Sequence, residues 1–211
     1  IAVLLNTSLN RKGMPIVETP AEAIELFNQT ALDVLVMENT VIEKNTRPYD
    51  EDILNDIIAF LESIDIEVKE CTLNDTCLIP GFDIGPNYIM MDRDRIKYPG
   101  DLLHEAGHLA MTKPEDRPLI GTDKISPEWP TDGDEIGAIL WSYAALVKMK
   151  IDPEIVFHKN GYKDESAWIM GEFEKENYIG LPLLEWREMS YGTERAKELG
   201  IEPFPHMIKW L

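Results

Sequence analysis

Residues 101–111, DLLHEAGHLAM, constrain this chain more than any other stretch. The chain has four histidines, and two of them, His104 and His108, stand four apart around Glu105. Leu102, Leu103, Leu109 and Met111 supply apolar packing residues, so the stretch reads as a helix that buries much of its surface. Residues i and i+4 of a helix lie about 6 Å apart along the axis and on one face. His104 and His108 can therefore offer two imidazoles to one metal ion. Glu105 sits about 100° round the helix from His104. It cannot easily bind the same ion, but it can reach a water bound to that ion. Two ligands and an adjacent general base are the physical content of the H-E-x-x-H spacing. Ala106 and Gly107 are small enough for another backbone to approach closely. The bland alternative is a pair of partly exposed helix histidines with no metal.

Length and charge narrow the setting. The 211 residues suffice for one domain with a sizeable core, and no interior boundary stands out. A net charge of −19 repels phosphate backbones, so nucleic acid is not an expected partner. No apolar run approaches the roughly 20 residues that span a bilayer, so no membrane is expected either. The opening IAVLL is too short for a signal-peptide core and has no basic flank. Cys71 and Cys77 flank the turn signal Asn74-Asp75. They could pair across a hairpin or stay as two thiols, and they leave cytoplasm and secretion both open.

Thr19-Pro20-Ala21-Glu22 starts a helix, with Thr19 as N-cap and Glu22 completing a capping box; its expected end is near Leu32. Asp50 caps a second helix with Ile53, Ile57, Ile58, Leu61 and Ile64 at helical spacing. Residues 66–93 read as two or three antiparallel strands. Residues 112–131 contain four prolines, which preclude a long helix, and so long a loop usually serves a site or is mobile. Asp132 or Gly133 opens the next helix, Asp152 a short one, and Asp164 onward another.

HEAGH, with strands before it and an acid-bearing helix after it, resembles the zincin metallopeptidases over residues 66–150. Met111 and Pro114 stand where the metzincin continuation needs glycine and histidine, so the resemblance is to the gluzincin type. It includes a likeness to compact bacterial HExxH…E proteins. The family takes its third ligand from a later helix. Here Glu135 lies 27 residues after His108 and is the candidate, with Asp134 as competitor. Many gluzincins carry a supporting acid four residues after that glutamate, where this chain has Ile139; Asp101, Asp132 or a backbone carbonyl would have to serve instead.

The resemblance implies an α+β fold. A small antiparallel sheet would pack on an active-site helix bearing HExxH, with additional helices at both ends. It would form a single catalytic domain over 1–211, with its core in about 66–150 and additions at 1–65 and 151–211. It implies Zn2+ held by His104, His108 and Glu135, and Glu105 as the catalytic base. The expected activity is zinc-dependent hydrolysis of a peptide or protein substrate. The alternative is a non-catalytic, zinc-stabilised interaction module using the same groove, and a third reading is an acidic binding module without metal. Candidate extra donors are His158, Tyr143, Tyr162, Tyr178, Tyr191 and His206. Part of Leu78–Asp92 would form the cleft edge, with Phe82 and Tyr88 beside the cleft and Trp129 on its rim. Trp141, Trp168, Trp186 and Trp210 read as packing residues.

Overall fold

The computed structural model describes residues 8–44, 47–74, 77 and 79–211. IAVLL, Asp75 and Leu78 of the expectations above lie outside them. The chain divides into two compact units, Ile1–Arg47 and Pro48–Leu211.

In the first unit, helix α1 (Pro20–Asn28) begins with the expected capping box, Thr19 and Glu22 satisfying each other's backbone N–H groups. It stops four residues short of Leu32. Strands β1 (Val34–Met37) and β2 (Thr40–Glu43) follow as an antiparallel hairpin, with Met37 opposite Thr40. This hairpin corrects the expectation of helices alone in residues 1–65. The two-residue loop Glu38-Asn39 lacks the usual glycine, and Glu38 itself takes φ 51°. Ala23, Phe27 and Leu35 form this unit's core.

The second unit is α+β. Helix α2 (Glu51–Ser63) is capped by Asp50, whose carboxylate accepts from the Asp52 and Ile53 N–H groups. Strands β3 (Glu67–Glu70), β4 (Phe82–Gly85) and β5 (Tyr88–Met91) form one sheet in the order β3-β5-β4. The expected all-antiparallel sheet is corrected here. β4 and β5 form a tight antiparallel hairpin through Pro86-Asn87, but β3 runs parallel to β5. Glu70 at the end of β3 and Phe82 at the start of β4 are both level with Met91. The connection therefore stays at one end of the sheet and skips one place, which β5 then fills; strand patterning does not encode that choice.

Helix α3 (Asp101–Met111) carries the HEAGH residues and is buried on nearly all sides. Helix α4 (Asp132–Met149) packs along it. Small residues set their spacing. A Cβ on Gly107 would stand 2.8 Å from the Ala138 carbonyl oxygen, and one on Gly137 would strike the Met111 side chain. Ser142 Oγ lies 3.2 Å from the Leu103 carbonyl oxygen and bonds across the pair. Gly107→Val should therefore force the helices apart and cost about 1–3 kcal/mol or more. A urea midpoint unchanged from the parent would contradict this packing.

The carbonyl end of α3 is tied down by two guanidinium groups. Arg117, buried in the proline-rich segment, donates to the Leu109, Thr112 and Ala110 carbonyls. Arg187 donates to the Met111 carbonyl. Both cations complement the negative end of the helix dipole. Trp129 donates to Thr112 Oγ1 at 2.9 Å, so the 112–131 segment is pinned to α3. Helices α5 (Pro153–Val156), α6 (Ser166–Glu174), α7 (Leu181–Trp186) and α8 (Thr193–Leu199) complete the unit. Trp141 and Trp210 pack in the core, whereas Trp168 and Trp186 are exposed, contrary to the expectation for them. Cys71 and Cys77 are free thiols.

Candidate metal centre

Consecutive turns of α3 present His104 and His108 to the first turn of α4, which carries Glu135. The two Nε2 atoms lie 3.1 Å apart. Glu135 Oε1 is 3.5 Å from His104 Nε2, and Oε2 is 3.3 Å from His108 Nε2. Among the described residues, these three form the one group of histidine, cysteine or acid side chains that could hold an ion. Ligands at about 2.0–2.1 Å from a tetrahedral zinc ion stand about 3.3–3.4 Å from each other. The two Nε2 atoms, 3.1 Å apart, are near that spacing, and each has a different oxygen of the Glu135 carboxylate at 3.5 or 3.3 Å. Two imidazoles and a carboxylate are also donors that zinc accepts.

Asp134, the competing ligand, is occupied elsewhere. Its carboxylate accepts from the backbone N–H and hydroxyl of Thr131, completing the α4 capping box. One residue on, Glu135 is free of that duty and turns toward the histidines. The sequence left this choice open because either acid suits a helix N-terminus.

Burial sets the protonation states. Desolvation and then the neighbouring His108 push the His104 pKa down to about 4, leaving a neutral ring able to donate its lone pair. Glu135 is held below the usual carboxylate range, first by its hydrogen bond with His108. Glu105, 8% exposed, lies outside the ligand triangle, and burial raises it to about 7. The Nδ1 atoms of both histidines are buried without a hydrogen-bond partner among the described residues, so no protein acid orients these rings.

The triangle opens into a cleft of about 1060 Å³ between β4, α3, the Trp129-Pro130 loop and residues 158–163. Phe82 and Trp129 border it as expected; Tyr88 does not, and instead lies under the Lys69 ammonium. Of the candidate donors, His158 and Tyr162 reach the cleft. Tyr143 and Tyr178 pack against aromatic neighbours, His206 faces Glu202, and Tyr191 is not in the cleft wall. Asp101 does not support a ligand histidine. It bonds His158 Nε2 at 2.9 Å, and the His158 ring stacks on Tyr98 at 3.6 Å. Asp132 is exposed. Tyr98 and Asn160 were not anticipated, because nothing in their local sequence distinguishes them from ordinary loop residues.

Residues 1–44 match the family model described as Carbamoyltransferase C-terminus. A 49-residue stretch is 49% identical to "Uncharacterized protein sll1178" of Synechocystis sp.; it makes up 23% of this chain and 8% of that protein. The chain thus aligns with only a small fraction of that relative's length. No solved structure matches. The family match corrects the activity expected from HEAGH. What is matched is a carbamoyltransferase region, over residues 1–44, and not a zincin or gluzincin metallopeptidase. The non-catalytic interaction module gains no support either. The physical reason is that His104, His108, Glu135 and Glu105 form a pattern that could hold a metal beside a base. They do not specify the acceptor or the leaving group, so the reaction class came from the resemblance alone.

Proposed function

We propose that this chain is a zinc-binding part of a carbamoyl-transferring protein. His104, His108 and Glu135 hold the ion, and Glu105 accepts protons in the same cleft. The observation that supports the metal reading is the convergence of His104, His108 and Glu135, one ligand atom of each lying within 4.8 Å of the others. The match of residues 1–44 supports the transferase setting. The two supports lie in different units and stand independently.

Held by His104, His108 and Glu135, zinc would supply a Lewis acid able to polarise a carbonyl oxygen. A carbamoyl group reacts at a carbonyl carbon, so this chemistry suits it. The rest falls to the chain. Glu105 lines the cleft beside the ligand triangle, where it can take a proton from a nucleophile entering there. Phe82, Ile84 and Trp129 add apolar surface to the same cleft.

Metal analysis of the purified chain after zinc loading and dialysis tests the reading. One zinc per chain is expected. Glu135→Gln should weaken zinc binding at least tenfold by removing a charged ligand, whereas Asp134→Asn should leave it within about twofold. The reverse order would move the ligand role to Asp134, and absence of zinc from the parent would end the metal reading.

A further inference from the structure

We infer that Tyr162, given the metal reading of His104, His108 and Glu135, is a positioning residue of that centre: its ring sets the orientation of the His104 imidazole.

A histidine that binds a metal through one ring nitrogen usually donates the other N–H to a carboxylate or a carbonyl, which fixes the ring plane. His104 and His108 have no such protein acceptor among the described residues, and both Nδ1 atoms are buried. Helix α3 fixes where the two side chains start, but rotation of an imidazole about its last bond is broad. Holding the plane therefore falls to packing, and Tyr162 is placed for that task. Its ring meets His104 edge to face, with centroids 5.3 Å apart and planes at 86°. His104 in turn meets His108 at 4.6 Å and 80°. Edge-to-face contact is a preferred aromatic geometry and contributes beyond burial alone. Behind Tyr162 stands Phe157 at 5.1 Å, and behind Phe157 stands Phe173 of α6 at 5.7 Å. Phe157 and Phe173 belong to the buried core. A row of rings thus runs from the core to the ligand pair.

The backbone that aims Tyr162 is unusual. Tyr162, Lys163 and Asp164 have φ of 54°, 54° and 67°, a left-handed region that non-glycine side chains rarely enter. Three such residues in succession persist where the surroundings hold them there. The Gly161 N–H and the Ser166 hydroxyl donate to the His158 carbonyl at 2.9 and 2.8 Å, and the Asp164 N–H donates to the Gly161 carbonyl at 3.1 Å. The His158 ring is itself bonded to Asp101, in the first turn of α3. The segment that carries Tyr162 is therefore fastened to the helix that carries His104, and the two rings keep one register. The contact uses the tyrosine ring, so phenylalanine should serve in its place.

Zinc competition against a chromophoric chelator tests this, with the fold of each variant checked by urea unfolding. Tyr162→Phe should bind zinc within about twofold of the parent. Tyr162→Leu should bind about tenfold or more weakly while remaining folded in native buffer. A leucine variant that is less stable yet binds zinc within twofold would reduce Tyr162 to ordinary packing and overturn the inference. A phenylalanine variant as weak as the leucine one would move the role to the hydroxyl and overturn it too. If the leucine variant does not fold, Tyr162→Met makes the same test, since methionine fills irregular space without a flat ring. A parent chain that binds no zinc would remove the metal reading and this inference together. A parent that binds zinc beside an equally tight leucine variant would remove this inference alone.

Discussion

His108→Ala should abolish stoichiometric zinc binding, weakening affinity by about a thousandfold. Structural zinc in zinc-finger peptides is held by about 10–16 kcal/mol, and on that scale one ligand among three or four is worth roughly 4 kcal/mol. His108 is the member of the set most bound up with the others. Its Nε2 faces both His104 Nε2 and Glu135 Oε2, and its side chain is 6% exposed, so a water has little room to replace it well. His104→Ala should behave alike. Glu105→Gln should retain zinc, because its carboxylate stands outside the ligand triangle. Competition with a chromophoric chelator reads all three. Two histidine variants that each still hold one tight zinc would contradict the assignment. The fold itself should survive His108→Ala, since neighbouring Leu103, Leu109 and Ala106 keep α3 in place.

The largest loss of stability should follow Trp141→Ala. Trp141 is fully buried on α4, and its indole meets Phe60 of α2 and Trp210 near the end of the chain. Its Nε1 donates to the Trp210 carbonyl at 3.0 Å. Alanine would open a cavity between three separate parts of the second unit and leave that carbonyl unpaired. The expected cost is about 3–5 kcal/mol, a large part of the roughly 5–15 kcal/mol that holds a domain folded. Trp141→Phe keeps most of the packing and loses the hydrogen bond, so about 1–2 kcal/mol is expected. Equilibrium urea unfolding separates the two. A cost below about 1 kcal/mol for alanine would show that this cluster does not anchor the C-terminal segment.

Local signals were read well from sequence where the chemistry is local. Thr19 with Glu22, and Asp50 before Ile53, cap helices through contacts within four residues, and the structure has both. The proline-rich stretch lacks a long helix, as expected, and is pinned by Arg117 and Trp129 against α3. The β1–β2 hairpin was missed because Glu38-Asn39 is an unusual turn pair. The parallel pairing of β3 with β5 was missed because it depends on where a long connection leads. In the cleft, helix geometry explains why His104 and His108 share a face of α3, whereas Glu135 comes from α4 and was named on the family resemblance. His158 and Asp101 are 57 positions apart, and only the fold brings them into contact. Residues 1–44 contain no chemical motif, so their likeness to the carbamoyltransferase C-terminus was invisible to reasoning that looks for ligands and bases.

The most direct test of the metal centre is zinc X-ray absorption on the loaded chain. One ion with nitrogen and oxygen neighbours at about 2.0–2.1 Å is expected, with the multiple-scattering signature of two imidazoles and no sulfur. A sulfur shell at about 2.3 Å would place the ion on Cys71 or Cys77 instead, and a spectrum of hydrated zinc would mean that His104, His108 and Glu135 hold nothing.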